Sequence, residues 1–152
     1  MVPIIPEHLF SIFVFDFSFL QMSLVTGFTT PKPPTCAAPL GMQNNQIPDS
    51  ALRASTSYNA NSMGPANGRL HFQAGSGKYG SWAVSTNNEF QYFEVKFGDW
   101  TQVTKVATQG RQDGAWWTKS YTLAYSYDGV FFVDYKEDNF VKVIKLFPCV
   151  FY

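Results

Sequence analysis

The feature that most constrains the fold of this chain is a two-residue alternation of apolar and polar side chains. Phe93, Val95 and Phe97 fall on one side of an extended segment, and charged residues fall between them. From residue 36 to residue 137 no segment repeats its apolar positions with the period of a helix. Aromatic residues make up 18% of the chain and charged residues 14%, a balance that favours pleated sheets. These patterns predict an all-β domain.

Further strands are predicted on either side of turn signals. Gly98-Asp99 predicts a turn, followed by an apolar strand over residues 103–106. Residues 121–125 alternate like residues 93–97 and run into Asp128-Gly129, a dipeptide typical of tight hairpin turns. Residues 130–133 resume β character immediately, so this segment predicts a hairpin.

Long polar segments connect these strands. Residues 56–68 and 73–88 are rich in Asn, Ser and Gly, and residues 106–114 form a further polar run. A compact β domain exposes such segments as loops, and loops held by a rigid scaffold commonly carry function.

Composition and motif spacing argue against several classes of function. The 11 basic and 11 acidic residues cancel, so the chain lacks the electrostatic footprint of a nucleic-acid binder. His71 stands apart from any carboxylate or nucleophile pattern, and the carboxylates are scattered. No Cys or His spacing suits a zinc site. We therefore expect neither an enzyme nor a metal or other cofactor.

The N-terminal part of the chain predicts export. Residues 1–28 form an apolar leader, an imperfect signal peptide because its start lacks Lys and Arg and Asp16 interrupts its apolar run. Residues 29–35 are rich in Pro and Thr and predict an extended linker. We expect a secreted or cell-surface protein.

Cys36 and Cys149 lie near the two ends of the predicted domain. They either form an end-to-end disulfide, which needs an oxidising compartment, or remain two unpaired thiols. The pair count favours neither arrangement.

Aromatic and hydrogen-bonding side chains are concentrated on the predicted loops. Such sets suit recognition of proteins, sugars or a lipid interface. Each tryptophan has an alternative role in the core, and Arg111 and Asp113 have an alternative role as a pair that holds the loop. The candidate binding residues are Tyr58, Asn59, Asn61, Met63, Lys78, Tyr79, Trp82, Arg111, Gln112, Asp113, Trp116 and Trp117.

Several short motifs follow one another along the chain, each at a predicted strand or loop. They are Pro39-Leu40-Gly41-Met42, Ile47-Pro48-Asp49-Ser50, Gly64-Pro65-Ala66-Asn67-Gly68-Arg69-Leu70, Tyr92-Phe93-Glu94-Val95-Lys96-Phe97-Gly98, Val103-Thr104-Lys105-Val106-Ala107-Thr108-Gln109-Gly110-Arg111 and Tyr125-Ser126-Tyr127-Asp128-Gly129.

This ordered series resembles the discoidin domain family, also called the coagulation factor V/VIII type C domain. The resemblance covers residues 36–137 and implies an antiparallel jelly-roll β-sandwich with protruding loops at one end. It also implies an extracellular module that binds a matrix protein, a glycan or a phospholipid surface. The loops at the matching positions are residues 58–63, 78–82 and 111–117.

Departures from the family pattern bear on the ligand. Collagen-receptor members carry a tryptophan where this chain has Asn61-Ser62-Met63, which argues against collagen. Trp82 is followed by Ala83-Val84-Ser85, so the pocket for a C-terminal arginine is not reproduced. Met63 and Trp116 are the candidates for apolar loop tips that enter a membrane.

The last departure concerns residues 138–152, a divergent tail that does not follow the family pattern. We expect the domain to lack its last strands, which would leave apolar faces and strand edges uncovered. The leading hypothesis is an adhesion module that binds through its loops. The alternative is a truncated structural fragment without independent binding activity.

Overall fold

The fold is all-β, as predicted, in a computed structural model that describes residues 9–14, 38–99 and 101–146. Two short 3-10 helices, Asp49–Ala51 and Pro65–Gly68, interrupt the strands. No helix among these residues is long and apolar enough to cross a membrane. The strands are β1 Leu9–Val14, β2 Leu52–Ala54, β3 Tyr92–Val95, β4 Ser120–Tyr125, β5 Val133–Asp134, β6 Lys136–Glu137, β7 Phe140–Val141 and β8 Val143–Lys145.

The main sheet has six strands, in the order β2-β3-β1-β4-β5, with β8 also paired to β4. β1 lies between β3 and β4 and runs parallel to both, whereas the other pairs in the sheet are antiparallel. β1 comes from the segment predicted as a leader, so the backbone of residues 9–14 of that segment is part of the sheet. The linker at residues 29–35 and the pairing of Cys36 with Cys149 lie outside the described residues.

The core lies against β2 and β3. Leu52 and Val95 are cross-strand partners and are buried together with Ile47. Phe93 and Phe97 pack against this cluster, which confirms the predicted apolar face of residues 93–97. Each fully buried side chain of this size contributes about 1.5–3 kcal/mol relative to an exposed one.

A buried arginine fastens the segment before β2 to this core. The guanidinium of Arg69 donates through Nη2 to the Ile47 carbonyl at 2.7 Å and through Nη1 to the Met42 carbonyl at 3.2 Å. Its Nε donates to Asp49 Oδ1 at 3.1 Å. Because Arg69 is only 5% exposed, these bonds replace the water that its charge loses on folding.

The predicted strand over residues 103–106 is wrong, since residues 101–110 are irregular. The reason lies in the sheet order. β2 and β1 occupy both edges of β3, so a segment that follows the turn at Gly98-Asp99 finds no free edge of β3 to pair with.

The hairpin after β4 is confirmed, but its turn is not the tight one that was predicted. Pairing resumes with Tyr125 opposite Val133, which leaves residues 126–132 as a loop. Asp128 Oδ1 accepts hydrogen bonds from the backbone N–H groups of Val130 and Phe131 at 2.8 and 2.9 Å. These side-chain bonds close the loop locally and prevent residues 130–132 from joining the ladder.

The segment predicted as a divergent tail contains two of the strands. β7 pairs with β6 in a separate two-stranded sheet, and Asp138 and Asn139 form its turn with positive φ angles of 52° and 68°. β8 pairs with β4, with Val143 opposite Thr122. Asp and Asn adopt this left-handed backbone conformation more readily than most other residues.

Candidate functional site

The structure brings together the three loops that sequence analysis singled out: the first loop (residues 58–63), the second loop (78–82) and the third loop (111–117). The backbone N–H of Tyr79 donates to the Ser62 carbonyl at 2.9 Å, which joins the first and second loops. The backbone N–H of Gln112 donates to the Gly80 carbonyl at 3.2 Å, which joins the second and third. Residues far apart in sequence therefore form one continuous surface.

Asn67 braces the first loop against the second. Its Nδ2 donates to the carbonyls of Ser62 at 2.8 Å and Tyr79 at 2.9 Å, and its side chain is only 2% exposed. Sequence analysis did not single out this residue as part of the site. The available signal was its place in a polar, glycine-flanked turn, where an asparagine commonly bonds to nearby backbone.

The first loop closes on itself and turns one of the predicted residues inward. Asn59 Oδ1 accepts hydrogen bonds from the backbone N–H groups of Asn61 and Ser62, both at 3.0 Å. The backbone N–H of Met63 donates to the Asn59 carbonyl at 2.8 Å. Met63 is 1% exposed, so its prediction as an apolar loop tip is wrong, whereas Tyr58 is 67% exposed.

An ion pair lies at the centre of the third loop. Arg111 Nε contacts Asp113 Oδ1 at 2.8 Å and Nη2 contacts Oδ2 at 3.0 Å, a two-pronged arrangement. Asp113 Oδ1 also accepts a hydrogen bond from the Gly80 backbone N–H at 2.9 Å. The bonds from Arg111 and Gly80 hold the pKa of Asp113 well below its usual range, and the bond to Asp113 raises that of Arg111. Both groups therefore stay charged at neutral pH.

The guanidinium of Arg111 also lies over two aromatic rings. Its central carbon is 4.5 Å from the centroid of Tyr79 and 4.7 Å from that of Trp116. The backbone N–H of Arg111 donates to the Trp116 carbonyl at 2.8 Å, which fixes the spacing within the loop. Cation–π contacts of this kind contribute about 0.5–1 kcal/mol each at an exposed site.

These contacts leave four aromatic side chains exposed on the three loops, which we call the aromatic rim. They are Tyr58, Tyr79, Trp116 and Trp117.

The remaining predicted residues lie near the aromatic rim but take different roles. Trp82 is half-buried, donates from Nε1 to the Thr56 carbonyl at 2.9 Å, and has its ring centroid 5.4 Å from that of Phe93. It therefore packs towards the sheet. Gln112 Oε1 accepts from the Ala74 backbone N–H at 3.2 Å, and Lys78 is exposed.

A cavity of about 460 Å³ lies between the core and the irregular residues 102–110. Its lining includes Gly80, Trp82 and Gly110, which places it beside the second and third loops. The lining contains no carboxylate, histidine or cysteine. Within the described ranges no group of three or more such residues is placed to hold a metal ion.

Comparison with known proteins agrees with this architecture. The profile of the F5/8 type C domain matches residues 51–147 and so continues past Glu137. Lactadherin of Mus musculus is 38% identical over 117 residues, which cover 72% of this chain and 25% of lactadherin. Discoidin domain-containing receptor A of Caenorhabditis elegans is 34% identical over 100 residues, 64% of this chain and 13% of the receptor. Coagulation factor VIII of Homo sapiens is 31% identical over 116 residues, 73% of this chain and 5% of the factor.

The matched region thus spans a quarter or less of each of these relatives. No solved structure matches the chain. The chain belongs to the F5/8 type C, or discoidin, domain family, which in general supplies extracellular binding modules rather than enzymes.

Proposed function

We propose that this chain is an adhesion module that recognises a matrix protein, a glycan or a membrane surface through the aromatic rim. One observation carries the proposal: the guanidinium of Arg111 holds the rings of Tyr79 and Trp116 in place while both rings remain exposed. A chain that used these rings only for stability would gain more by burying them.

A fixed aromatic surface suits recognition because the conformational entropy of its side chains is lost on folding and not again when the ligand binds. A free tryptophan or tyrosine side chain loses rotamer freedom on binding, whereas a ring already held by a paired guanidinium loses less. Aromatic side chains also dominate the binding energy of many interfaces. The bonds of Asn67 and Asp113 to the second loop extend this rigidity across the surface.

Binding is tested with the purified chain on arrays of matrix proteins, glycans and lipid vesicles. We expect binding to at least one class, and Trp116→Ala should weaken it about fivefold or more, since anchoring aromatic residues contribute more than 1 kcal/mol. Phe131→Ala is the matched control, because Phe131 is an exposed aromatic residue outside the three loops. The proposal fails if the folded chain binds nothing, or if both variants weaken binding equally.

A further inference from the structure

A second cavity, of about 550 Å³, lies at the end of the main sheet opposite the three loops. β3 and β4 both run parallel to β1, so their carboxyl ends lie at the same edge of the sheet. The third loop leads into the amino end of β4, whereas residues 96–99 and 127–129, which line the cavity, follow the carboxyl ends of β3 and β4. We call this cavity the end cleft, and the charged residues in its lining are Arg53, Glu94, Lys96, Asp99 and Asp128.

Glu94 is the most buried of these charged residues. It is only 8% exposed, whereas the other four are exposed. Within the described part of the chain its carboxylate accepts no hydrogen bond and forms no ion pair. Arg69, which is buried to a similar degree, bonds instead to Asp49 and to two backbone carbonyls. A buried charge without a partner is costly, so the carboxylate of Glu94 suits a cationic group that enters the cleft.

Two exposed cations lie on the same face of the sheet as Glu94. Arg53 is its cross-strand partner. Lys96 follows two residues later, and its backbone N–H donates to the Ala51 carbonyl at 2.8 Å, which continues the pairing with β2. Neither of these described side chains forms an ion pair with Glu94. The end cleft therefore presents a carboxylate at depth and two cations nearer to solvent.

We infer that the end cleft binds a small zwitterion, a free α-amino acid, whose ammonium group meets Glu94 and whose carboxylate meets Arg53 and Lys96. An ammonium group donates up to three hydrogen bonds, and a guanidinium holds a carboxylate through two parallel ones. The half-buried ring of Phe97 lines the same cleft and offers an apolar wall to the side chain of the amino acid. The volume of the cleft lies within the range of about 300–1,000 Å³ that is typical of small-molecule sites.

Simpler ligands use only part of this arrangement. An inorganic anion would pair with the two cations and leave Glu94 without a partner. A plain amine would pair with Glu94 but add a third positive charge beside Arg53 and Lys96. In the described ranges no three His, Cys, Asp or Glu residues are placed to hold a metal ion. The end cleft uses none of the three loops, so this inference goes beyond the proposed function and is tested separately from it.

The first experiment titrates the intact, isotopically labelled chain with three molecules and follows the backbone amide signals by NMR. Leucine carries both charges, isopentylamine is leucine without the carboxylate, and 4-methylpentanoic acid is leucine without the ammonium. We expect leucine to bind about tenfold more tightly than either analogue, because each analogue lacks one charge-assisted contact. The signals that shift should belong to residues 94–99 and 127–129. No binding of leucine, equal binding of either analogue, or shifts confined to the three loops would each overturn the inference.

The second experiment changes the charges of the cleft one at a time. Glu94→Gln should weaken leucine binding about tenfold or more, since it removes the charge that meets the ammonium group. Glu89→Gln is the matched control, because Glu89 is an exposed glutamate outside the lining of the cleft. Lys96→Met should reduce the preference for leucine over isopentylamine, and because Lys96 is exposed this variant decides the question if Glu94→Gln does not fold.

The stability of Glu94→Gln separates a binding group from a structural one. Because the substitution removes a buried charge without a partner, its urea midpoint should equal or exceed that of the native chain. A lower midpoint, with leucine binding that neither Glu94→Gln nor Lys96→Met alters, would show that Glu94 only pairs with Arg53 to hold the sheet. Equal effects of Glu94→Gln and Glu89→Gln on leucine binding would also refute the inference.

Discussion

Replacement of Asn67 by alanine should destabilise the protein and loosen the site together. In the native chain the amide nitrogen of Asn67 donates to two backbone carbonyls, one on the first loop and one on the second. Alanine removes both donors and leaves a space in a place that is 2% exposed. The Tyr79 carbonyl then loses this partner, whereas the Ser62 carbonyl keeps the hydrogen bond from the Tyr79 backbone N–H.

The expected loss follows from the cost of unsatisfied buried polar groups. Such a group costs about 1–3 kcal/mol, and a carbonyl near a loop surface falls at the lower end because water reaches it in part. One unsatisfied carbonyl, the weakened bonding of the other and the vacated volume together give about 1–3 kcal/mol. This is a large share of the stability of a single domain, which is about 5–15 kcal/mol.

Urea unfolding, followed by tryptophan fluorescence, measures this change. With a denaturant dependence of about 1–2 kcal/mol per molar urea, the midpoint should fall by about 1–2 M at unchanged slope. Asn61→Ala is the matched control, since Asn61 is exposed and contributes its backbone N–H rather than its side chain to the loop. A loss below about 0.5 kcal/mol, or an equal loss in the control, would refute the assigned role of the Asn67 amide.

Asn67→Asp adds a pH-dependent form of the same test. The new carboxylate would be buried against two carbonyl oxygens, so its pKa should rise above the usual value of about 3.9. A raised folded pKa gives stability that is present below the unfolded value and lost as pH rises through the folded value. The variant should therefore resemble Asn67→Ala most closely at neutral pH and recover stability as pH falls towards about 4.

Four further outcomes follow from particular contacts and exposures. Because the pKa of Asp113 is lowered from its ordinary 3.8, its contribution to stability is present above that value and should be lost as pH falls below it, so urea melts at several acidic pH values should show a decline that is smaller in Asp113→Asn. Gly64→Ala should destabilise strongly in the same assay, because the added Cβ would lie 2.3 Å from the Ala60 carbonyl oxygen. Among the described residues, Gly98→Ala would meet no atom beyond its chain neighbours within 4 Å of its added Cβ, and it should be neutral or stabilise by about 0.4–1 kcal/mol; an equal loss in both glycine variants would contradict the packing. Phe131→Ser should change the free energy of unfolding by less than about 0.5 kcal/mol, since Phe131 is 77% exposed, and a larger loss would show that its ring is packed.

The sheet core could be predicted from sequence because side chains two residues apart in a strand lie on the same face, so the alternation of apolar and polar residues indicates which face is buried. Val95 and Phe97 lie on the face that the alternation assigned to the core, and residues 121–125 form a strand. The faces of β4 are less one-sided than its pattern suggested, since Thr122 and Ala124 are buried as well as Tyr121. A strand covered on both sides loses the contrast that makes the period informative.

Other features could not be predicted because they depend on contacts with residues outside the local sequence pattern. Residues 103–106 have the composition of a strand, but which edges of the sheet are free is decided by segments far away in the chain. Met63 belongs to a polar, exposed-looking loop and is nevertheless buried, because Asn59 closes that loop and turns the next residues inward. The alternative in which Arg111 and Asp113 pair with each other is the one that the structure shows.

The second loop links the stability of the domain to the state of its site. Asn67 bonds to the carbonyl of Tyr79, and Asp113 bonds to the N–H of the next residue, Gly80, so one side chain from the 3-10 helix Pro65–Gly68 and one from the third loop hold adjacent backbone groups. The ring that stacks on Arg111 belongs to that same Tyr79. A substitution that breaks either hydrogen bond therefore lowers the free energy of unfolding. It also lets the Tyr79 ring move more, because the backbone of residues 79 and 80 both carries these bonds and positions the ring. Variants at Asn67 and at Asp113 should for this reason weaken binding in a non-additive way, since each removes part of the same constraint.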